Sequence, residues 1–268
     1  MSSRVSKDDP GKYSPAVDRT LAVLEALVQS DGSLTLTALA KETSISLATC
    51  ASIVHSLERR GYASRRIVGR SHFWSATMAL YGLAVQLTRN VDLAGVAQEE
   101  MQTLADELRM PVHIGVLNGP SIVYVAKASS PGMIQFDTYP GKTVRFNLTA
   151  LGRAIAAMLP SHELEPLLEH LAAGHGPKAR SGGRKEFLAL LDQVRRYGYA
   201  VEDEEDEANI ACVAAPFVGP EGHVAGAVGV TTLAAGLDTE VVLRVATKLR
   251  GLAAVISDGL GGVRSDAG

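Results

Sequence analysis

Several kinds of site are missing from this sequence of 268 residues, and their absence narrows what the chain can do. Cys50 and Cys212 are its only cysteines, too few and too far apart for a disulfide framework or a cysteine-based zinc site. No apolar run approaches the ~20 residues that span a bilayer. The start, MSSRVSKDDPGKYS, lacks the apolar core of a signal peptide, so we expect a cytoplasmic protein. There is no P-loop, dinucleotide-binding or H-E-x-x-H motif, so we expect no cofactor and no metal.

Charge is distributed unevenly along the chain. Hydrophobic residues make up 46% of the sequence and charged residues 21%, as in an ordinary globular protein, and the length suits two domains. Residues 1–76 contain ten Lys/Arg and seven Asp/Glu, whereas residues 77–268 contain sixteen and 22. Within 58–76, five arginines accompany a single acid, Glu58. Such a patch indicates either a small module that binds a polyanion or a solvated arginine face.

The first 76 residues have the pattern of three short helices followed by a hairpin. After a disordered arm at 1–12, Ser14-Pro15 begins a predicted helix over 15–29. Its apolar face is expected to contain Val17, Leu21, Leu24 and Val28. A second helix begins near Thr35, and a third begins after Ser46 and ends at Gly61. The third helix is expected to bury Cys50, Ile53, Val54 and Leu57.

Two short strands are predicted after the third helix, on either side of Gly69 in YASRRIVGRSHFWSA. Three helices and an arginine-rich hairpin predict a winged helix-turn-helix domain over 13–76. A helix over 77–92 is then expected to link this domain to the rest of the chain. Its apolar residues favour self-association.

Strand pairs alternate with helical stretches in the remainder, which predicts an α+β domain with an antiparallel sheet over 93–262. VHIGVLN and SIVYVAKA flank the turn at Asn118-Gly119-Pro120, and NIACVAAPFV and HVAGAVGVTT form a second pair. MIQFDT, 133–138, could add a strand. A helix over 238–258 closes the chain.

The sequence resembles the IclR family of bacterial transcriptional regulators across nearly its whole length. The segments that carry the resemblance, in family order and spacing, are SPAVDRTLAVLEAL, LTLTALAKETSISLATCASIVHSLERRGYASR, VHIGVLNGPSIVYVAKASSP, TALGRAIAAMLP and GYAVEDEEDEANIACVAAPF. The resemblance implies a winged helix-turn-helix, a linker helix and a GAF-like domain that binds a small effector. It also implies a homodimer or homotetramer on double-stranded operator DNA, as a repressor or an activator.

The third helix departs from the family, whose recognition helix often opens with a Pro-Lys-Ser-Thr-Val-His-Arg type of sequence. Here the corresponding SLATCAS, 46–52, keeps only the threonine and has no cation. Hydroxyls and apolar groups can still contact base edges and thymine methyls, and a helix N-terminus can meet a phosphate. The wing would then supply most of the affinity; weakened DNA binding is the alternative. The expected DNA-contacting residues are Arg19 (by resemblance), Thr35, Ser46, Leu47, Thr49, Ser52, Arg65, Arg66, Arg70 and His72.

A helix that begins after Thr149 presents the backbone N–H groups of Ala150, Leu151 and Gly152, a favourable place for a carboxylate. The resemblance puts the effector pocket between this helix and the sheet. The other walls that it implies are Met133, Phe136, Val144, Glu202, Ile210, Cys212, Gly229 and Thr231; plain core packing is the alternative for the apolar ones. These residues suggest a small organic acid, including aromatic acids, with a hydroxyl or amine donor near Glu202.

The acidic run EDEEDE, 202–207, is expected to be mostly a solvated loop, since six buried carboxylates would be prohibitive. Two other functions are alternatives to an effector-responsive regulator. As an enzyme, the chain would use Cys212 as its nucleophile and His113 or His223 as the base, but no sequence signature of a catalytic cysteine surrounds Cys212. A DNA-binding scaffold would use its C-terminal domain for assembly alone, without a ligand.

Overall fold

The computed structural model describes residues 14–88, 93–131, 135–178 and 183–261. Residue contacts divide the chain into two units, one ending at Asn90 and the other beginning at Val91. The arm expected at 1–12, part of the expected linker and Met133 lie outside the described residues. None of the described helices is long and apolar enough to cross a membrane.

The first unit has the predicted three helices and hairpin. Its described elements are α1 (Pro15–Gln29), β1 (Leu34–Thr35), α2 (Leu36–Thr43), α3 (Leu47–Arg59), β2 (Ala63–Val68), β3 (Ser71–Ala76) and α4 (Ala79–Thr88). The strands form an antiparallel sheet in the order β1-β3-β2. The winged helix-turn-helix prediction is confirmed; β1 was not predicted because two residues are too short to show an alternating pattern.

The position of helix α3 is determined by its N-cap residue and by the helical spacing of its apolar residues. The Ser46 hydroxyl accepts a hydrogen bond from the Thr49 N–H at 3.3 Å, which satisfies one donor at the start of the helix. The predicted face of Cys50, Ile53, Val54 and Leu57 is buried, against a core that contains the fully buried Trp74. Gly69, at a φ of +61°, turns β2 into β3.

The predicted inner face of α1 is wrong for three of its four residues, whereas Leu24 packs against the core. Val17, Leu21 and Val28 are more than half exposed, whereas Val23, Ala26 and Leu27 are buried. The helix carries apolar residues on more than one face, and packing against α2 and α3 selects the face that contains Val23 and Leu27.

The second unit is a six-stranded antiparallel sheet with helices on both faces. Its elements are α5 (Leu93–Leu108), β4 (Val112–Asn118), β5 (Ser121–Ala128), β6 (Thr143–Arg145), α6 (Ala150–Met158), α7 (Ser161–Leu168), α8 (Arg184–Tyr197), β7 (Ala200–Asp203), β8 (Ile210–Val218), β9 (Val224–Leu233) and α9 (Thr239–Gly259). The strand order is β6-β5-β4-β9-β8-β7.

Two apolar cores lie on either side of this sheet. One joins it to α5 and α9 around Met101, Ile114 and Leu249; the other joins it to α6, α7 and α8 around Phe146 and Leu191. The second core leaves room for a cavity at the start of α6. The α+β prediction with an antiparallel sheet flanked by helices is confirmed.

Two local expectations fail. The described part of MIQFDT, 135–138, is not a strand, and the strand that pairs with β5 at this edge of the sheet is β6. The acidic run is not mostly solvated, because its first two residues belong to β7 and Glu202 and Glu205 are buried. Arg153 compensates the buried charge of Glu205 at 2.9 Å, an interaction between residues 52 positions apart in the sequence.

Candidate functional site

The outward face of α3 is uncharged over its first two turns. Leu47, Ala48 and Ser52 are exposed there, while Thr49 and Ala51 are half-buried. The Thr49 hydroxyl is already engaged, since it lies 2.8 Å from the Ser46 hydroxyl at the cap. Ser52 therefore offers the more accessible hydroxyl for a base edge, with the apolar Leu47 and Ala48 beside it.

The two adjacent arginines of the wing, Arg65 and Arg66, point to opposite faces of its hairpin. Arg65 lies opposite Trp74 in the strand register, with its guanidinium 5.5 Å from the Trp74 ring centroid and 3.4 Å from Glu58. Arg66 lies opposite Phe73, 5.8 Å from that ring. Because side chains alternate along a strand, Arg65 is turned towards α3 and Arg66 away from it.

The remaining expected DNA-contacting residues differ in their availability. Arg19, Arg70 and His72 are exposed. Thr35 is half-buried and caps α2, accepting a hydrogen bond from the Ala38 N–H at 3.2 Å. His55 was not predicted; it is exposed on α3 and packs edge-on against Trp74 at 5.0 Å between ring centroids.

The second unit contains a cavity of about 150 Å³ between the start of α6, the sheet and the turn after β7 that contains Asp206 and Glu207. Its lining includes six of the residues expected from sequence: Phe136, Val144, Glu202, Ile210, Cys212 and Thr231. The others that line it are Tyr124, Asp137, Thr138, Lys142, Leu148, Thr149, Asp206 and Glu207. The sequence offered no periodic signal for Thr138 or Lys142, because both lie in an irregular segment.

Four of the expected effector residues lie outside this lining. Gly152 donates its N–H to the Thr149 hydroxyl at 3.1 Å, and a Cβ there would lie 1.9 Å from the Phe146 carbonyl oxygen. The absence of a side chain at Gly152 therefore lets α6 approach the backbone of Phe146, and is not needed for contact with a ligand. Gly229 packs similarly, with a Cβ position 2.7 Å from the Val213 carbonyl oxygen. Ala150 and Leu151 are buried in the core.

The polar groups on the cavity wall are mostly acceptors. Glu202 is buried, its Oε1 accepts hydrogen bonds from the backbone N–H groups of Glu205 at 2.8 Å and Asp206 at 3.3 Å, and burial raises the pKa of its carboxyl group. Lys142 is the cation in the lining and pairs with Asp137 at 3.0 Å. Burial also raises the pKa of the Tyr124 hydroxyl, which stays protonated and able to donate.

Cys212 and His113 do not have the properties of a nucleophile and its base. Burial, with the nearby Glu202, raises the pKa of the Cys212 thiol to about 12, so almost none is thiolate at neutral pH. Burial and then Lys127 lower the pKa of His113 to about 3. The His113 Nε2 instead hydrogen-bonds the Thr138 hydroxyl at 2.7 Å, which holds a residue of the cavity wall. His223 is exposed beyond the other end of β8.

Residues that could hold a metal ion are absent in the described ranges, where no three His, Cys, Asp or Glu side chains cluster suitably. The cavity instead combines an apolar floor with hydroxyl, thiol and carboxyl groups. This is the composition of a pocket that binds a small organic molecule by shape and a few hydrogen bonds.

Comparison with known proteins agrees with both halves of the chain. Residues 16–66 match the IclR helix-turn-helix domain, and residues 85–258 match the C-terminal domain of bacterial transcriptional regulator IclR. The regulator KdgR of Dickeya chrysanthemi is 27% identical over 75% of this chain and 65% of its own length. The regulator XynR of Escherichia coli K12 is 25% identical over 92% of this chain and 97% of its own length.

Solved structures share the fold. A transcriptional regulator from Rhodococcus sp. RHA1 is 28% identical with a TM-score of 0.76, covering 93% of this chain and 99% of that one. An IclR homologue from Microbacterium hydrocarbonoxydans, complexed with 4-hydroxybenzoate, is 20% identical with a TM-score of 0.78, covering 92% and 99%. Because the matched C-terminal domain alone spans more than half of the sequence, this chain belongs to the IclR family of bacterial transcriptional regulators.

Proposed function

We propose that this regulator binds operator DNA through its first unit and that a small organic effector, bound in the cavity of the second unit, modulates that binding. The observation that carries the proposal is the cavity itself, where Phe136 and Ile210 form apolar walls around the polar Glu202, Cys212 and Thr231. A protein that acts on the bacterial chromosome in this way works in the cytoplasm. We propose that the DNA-binding domain is 13–76, within the first of the two units into which residue contacts divide the chain.

For the DNA surface, we propose that α3 contributes sequence recognition and the wing contributes affinity. Ser52, Leu47 and Ala48 are suited to hydroxyl and methyl contacts with base edges. Arg66, Arg70 and Arg19 are exposed cations suited to phosphates, which position a protein without specifying sequence. Ser46, Thr49 and Thr35 hold the caps of the two helices, and His72 and Arg65 share the face of the wing that is turned towards α3.

For the effector, we propose a small organic acid that also bears a hydroxyl or amine donor. A cavity of about 150 Å³ is the size class that accepts a single aromatic ring, since an engineered cavity of roughly that volume binds benzene. The acid group would lie near Lys142 and Thr149 at the head of α6, and the donor near the Glu202 carboxylate. 4-Hydroxybenzoate, the ligand of the Microbacterium homologue, has both features.

Self-association is part of the proposal, as a homodimer or homotetramer. Large apolar side chains are exposed on two helices of the first unit: Val17, Leu21 and Val28 on α1 and Met78, Tyr81 and Leu83 beside or on α4. Groups of exposed apolar side chains are commonly covered by a partner.

The effector proposal is tested by thermal unfolding with a panel of benzoate, 4-hydroxybenzoate and lactate. A ligand at 100 times its Kd should stabilise the protein by ~2.7 kcal/mol. Cys212→Leu would fill the cavity and should abolish the shift, while the isosteric Cys212→Ser should keep it. Equal shifts in both variants would place the ligand elsewhere. The absence of any shift across a wider panel of acids and amines would favour a ligand-independent scaffold.

A further inference from the structure

A buried ion pair between Arg153 and Glu205 lies beside the part of the cavity wall that contains Glu202 and Asp206. The Arg153 guanidinium binds both carboxylate oxygens of Glu205, with Nη1–Oε1 and Nη2–Oε2 distances of 2.9 Å. Only 2% of Arg153 and 6% of Glu205 is exposed. Arg153 also donates to the carbonyl oxygens of Asn147 and Val201, each at 3.0 Å. Its bonds therefore join α6 to β7 and to the turn that follows β7.

A backbone group of Glu205 connects this ion pair to the cavity. Glu205, held by Arg153 through its side chain, donates its own N–H to Glu202 Oε1 at 2.8 Å. Glu202 lines the cavity together with Cys212, and it contributes to the raised pKa of the Cys212 thiol. Arg153 itself does not line the cavity, so it acts on the ligand site through its partners, which are Glu205 in the turn and the carbonyl of Val201 next to Glu202.

Packing alone does not call for a charge at position 153. The neighbouring residues of α6 are buried and apolar, among them Leu151, Ala154 and Ile155. Burying a charged pair carries a large desolvation cost, and apolar replacements of similar volume are often as stable. Pairs of this kind are retained in some proteins because they specify one conformation.

We propose that Arg153 is a positioning residue for the effector cavity: by clamping Glu205 it fixes the 204–206 turn and with it the Glu202 carboxylate on the cavity wall. The inference rests on the proposed function only in calling the cavity an effector site. Arg153 contacts no ligand in this scheme. A lysine at this position keeps the charge but lacks the planar fork that binds both carboxylate oxygens.

The test uses Cys212 as a reporter inside the cavity and needs neither DNA nor an effector. Iodoacetamide alkylation of the full chain is followed by mass spectrometry at pH 7 to 10, with Cys50 as the internal reference because it is fully buried in the other unit. The variants are Arg153→Lys and Glu205→Gln, and Arg153→Met/Glu205→Leu, which removes both charges should a single variant fail to fold. Arg184→Lys is the control, since Arg184 donates from Nη2 to both carboxylate oxygens of Glu165 in an exposed pair.

Release of the turn admits water to Cys212 and frees Glu202 to move away, so the thiol should ionise more readily. We expect the pair variants to alkylate Cys212 at least ~10-fold faster at pH 8, the effect of one pKa unit on the thiolate population. Cys50 and the Arg184→Lys control should not change. An unchanged Cys212 rate in a folded pair variant would overturn the proposal. So would a faster Cys212 reaction that only follows a lowered denaturant midpoint of the second unit, which would mean that the pair supports the stability of that unit and nothing more.

The same variants separate this inference from the proposed function. Faster Cys212 alkylation in a protein that responds to no ligand would leave the positioning role intact and count against the effector proposal alone.

Discussion

Arg65 and Arg66, adjacent in the chain, have guanidinium groups over different aromatic rings on opposite faces of the wing. Arg65 lies 5.5 Å from the centroid of the buried Trp74 and pairs with Glu58 of α3, whereas Arg66 lies 5.8 Å from the half-buried Phe73. A basic patch that is uniform in sequence thus contains one arginine that braces the wing against α3 and another that is free of that ion pair. The two should behave differently when replaced.

Arg66→Ala should weaken binding to every DNA sequence and lower the slope of log K against log salt by about 1, as expected for the loss of one phosphate contact. Arg65→Ala should change the salt slope less and should lower the unfolding temperature of the first unit, because it removes the contacts with Trp74 and Glu58. Fluorescence anisotropy at several salt concentrations and thermal unfolding measure the two effects. Identical salt slopes for the two variants would contradict the assignment.

Ser52→Ala should reduce affinity for the operator while leaving affinity for a scrambled duplex unchanged, since its exposed hydroxyl is assigned to a base edge. Ser46→Ala is the matched hydroxyl deletion. It removes the cap of α3 and should cost about 1 kcal/mol of stability. Loss of discrimination is read from competition between the two duplexes. An equal loss on both duplexes for Ser52→Ala would place Ser52 outside base recognition.

His113 should make the second unit sensitive to acid. Its pKa is lowered by burial to about 3 in the folded protein, against about 6.5 when unfolded. Between these values the unfolded state binds the additional proton, so stability falls as pH falls from 6.5 towards 3. The free-energy difference between wild type and His113→Gln should therefore shrink as pH falls through this window, by up to ~1.4 kcal/mol per pH unit.

Denaturant unfolding at a series of pH values measures that difference. His162→Gln, at an exposed histidine, is the control for the substitution itself. A difference between wild type and His113→Gln that stayed constant from pH 7 to 4 would show that His113 is not held neutral by its surroundings.

Replacing Glu202 and replacing Glu204 should change the free energy of unfolding, relative to wild type, in opposite directions. Burial raises the pKa of Glu202, so the stability associated with its neutral form is lost as pH rises through the folded pKa, and Glu202→Gln should gain stability relative to wild type between pH 4 and pH 8. Lys178 and the Asn209 N–H lower the pKa of Glu204, so its contribution is present above the unfolded pKa and is lost as pH falls through the folded pKa; Glu204→Gln should be less stable than wild type at pH 6, by a margin that shrinks as the pH falls below the unfolded pKa. The same sign for both variants would contradict these environments.

The elements that could be predicted from sequence are those determined by local chemistry. The bounds of α3 follow from the Ser46 cap and four apolar residues at helical spacing, and the wing turns at Gly69, which adopts a positive φ. The hairpin at Asn118-Gly119 is predictable for the same reason. Each of these signals lies within a few residues of the structure that it specifies.

The features that could not be predicted from the sequence depend on contacts between distant parts of the chain. The buried face of α1 depends on which of several apolar residues meets α2 and α3. The acidic run contains two buried glutamates because Glu202 is satisfied by the turn and Glu205 by an arginine far away in the chain. The one available signal was Arg153 itself, a single charge in the otherwise apolar stretch ALGRAIAAM, which needs a buried partner.

The most direct test of the central claim is fluorescence anisotropy of the purified protein on its own upstream intergenic DNA, against a scrambled duplex of equal length and at several salt concentrations. The account predicts tight binding that discriminates between the duplexes, with a salt slope that falls in Arg66→Ala and discrimination that falls in Ser52→Ala. Weak, equal and salt-sensitive binding to both duplexes would contradict recognition of this DNA by the uncharged helix α3.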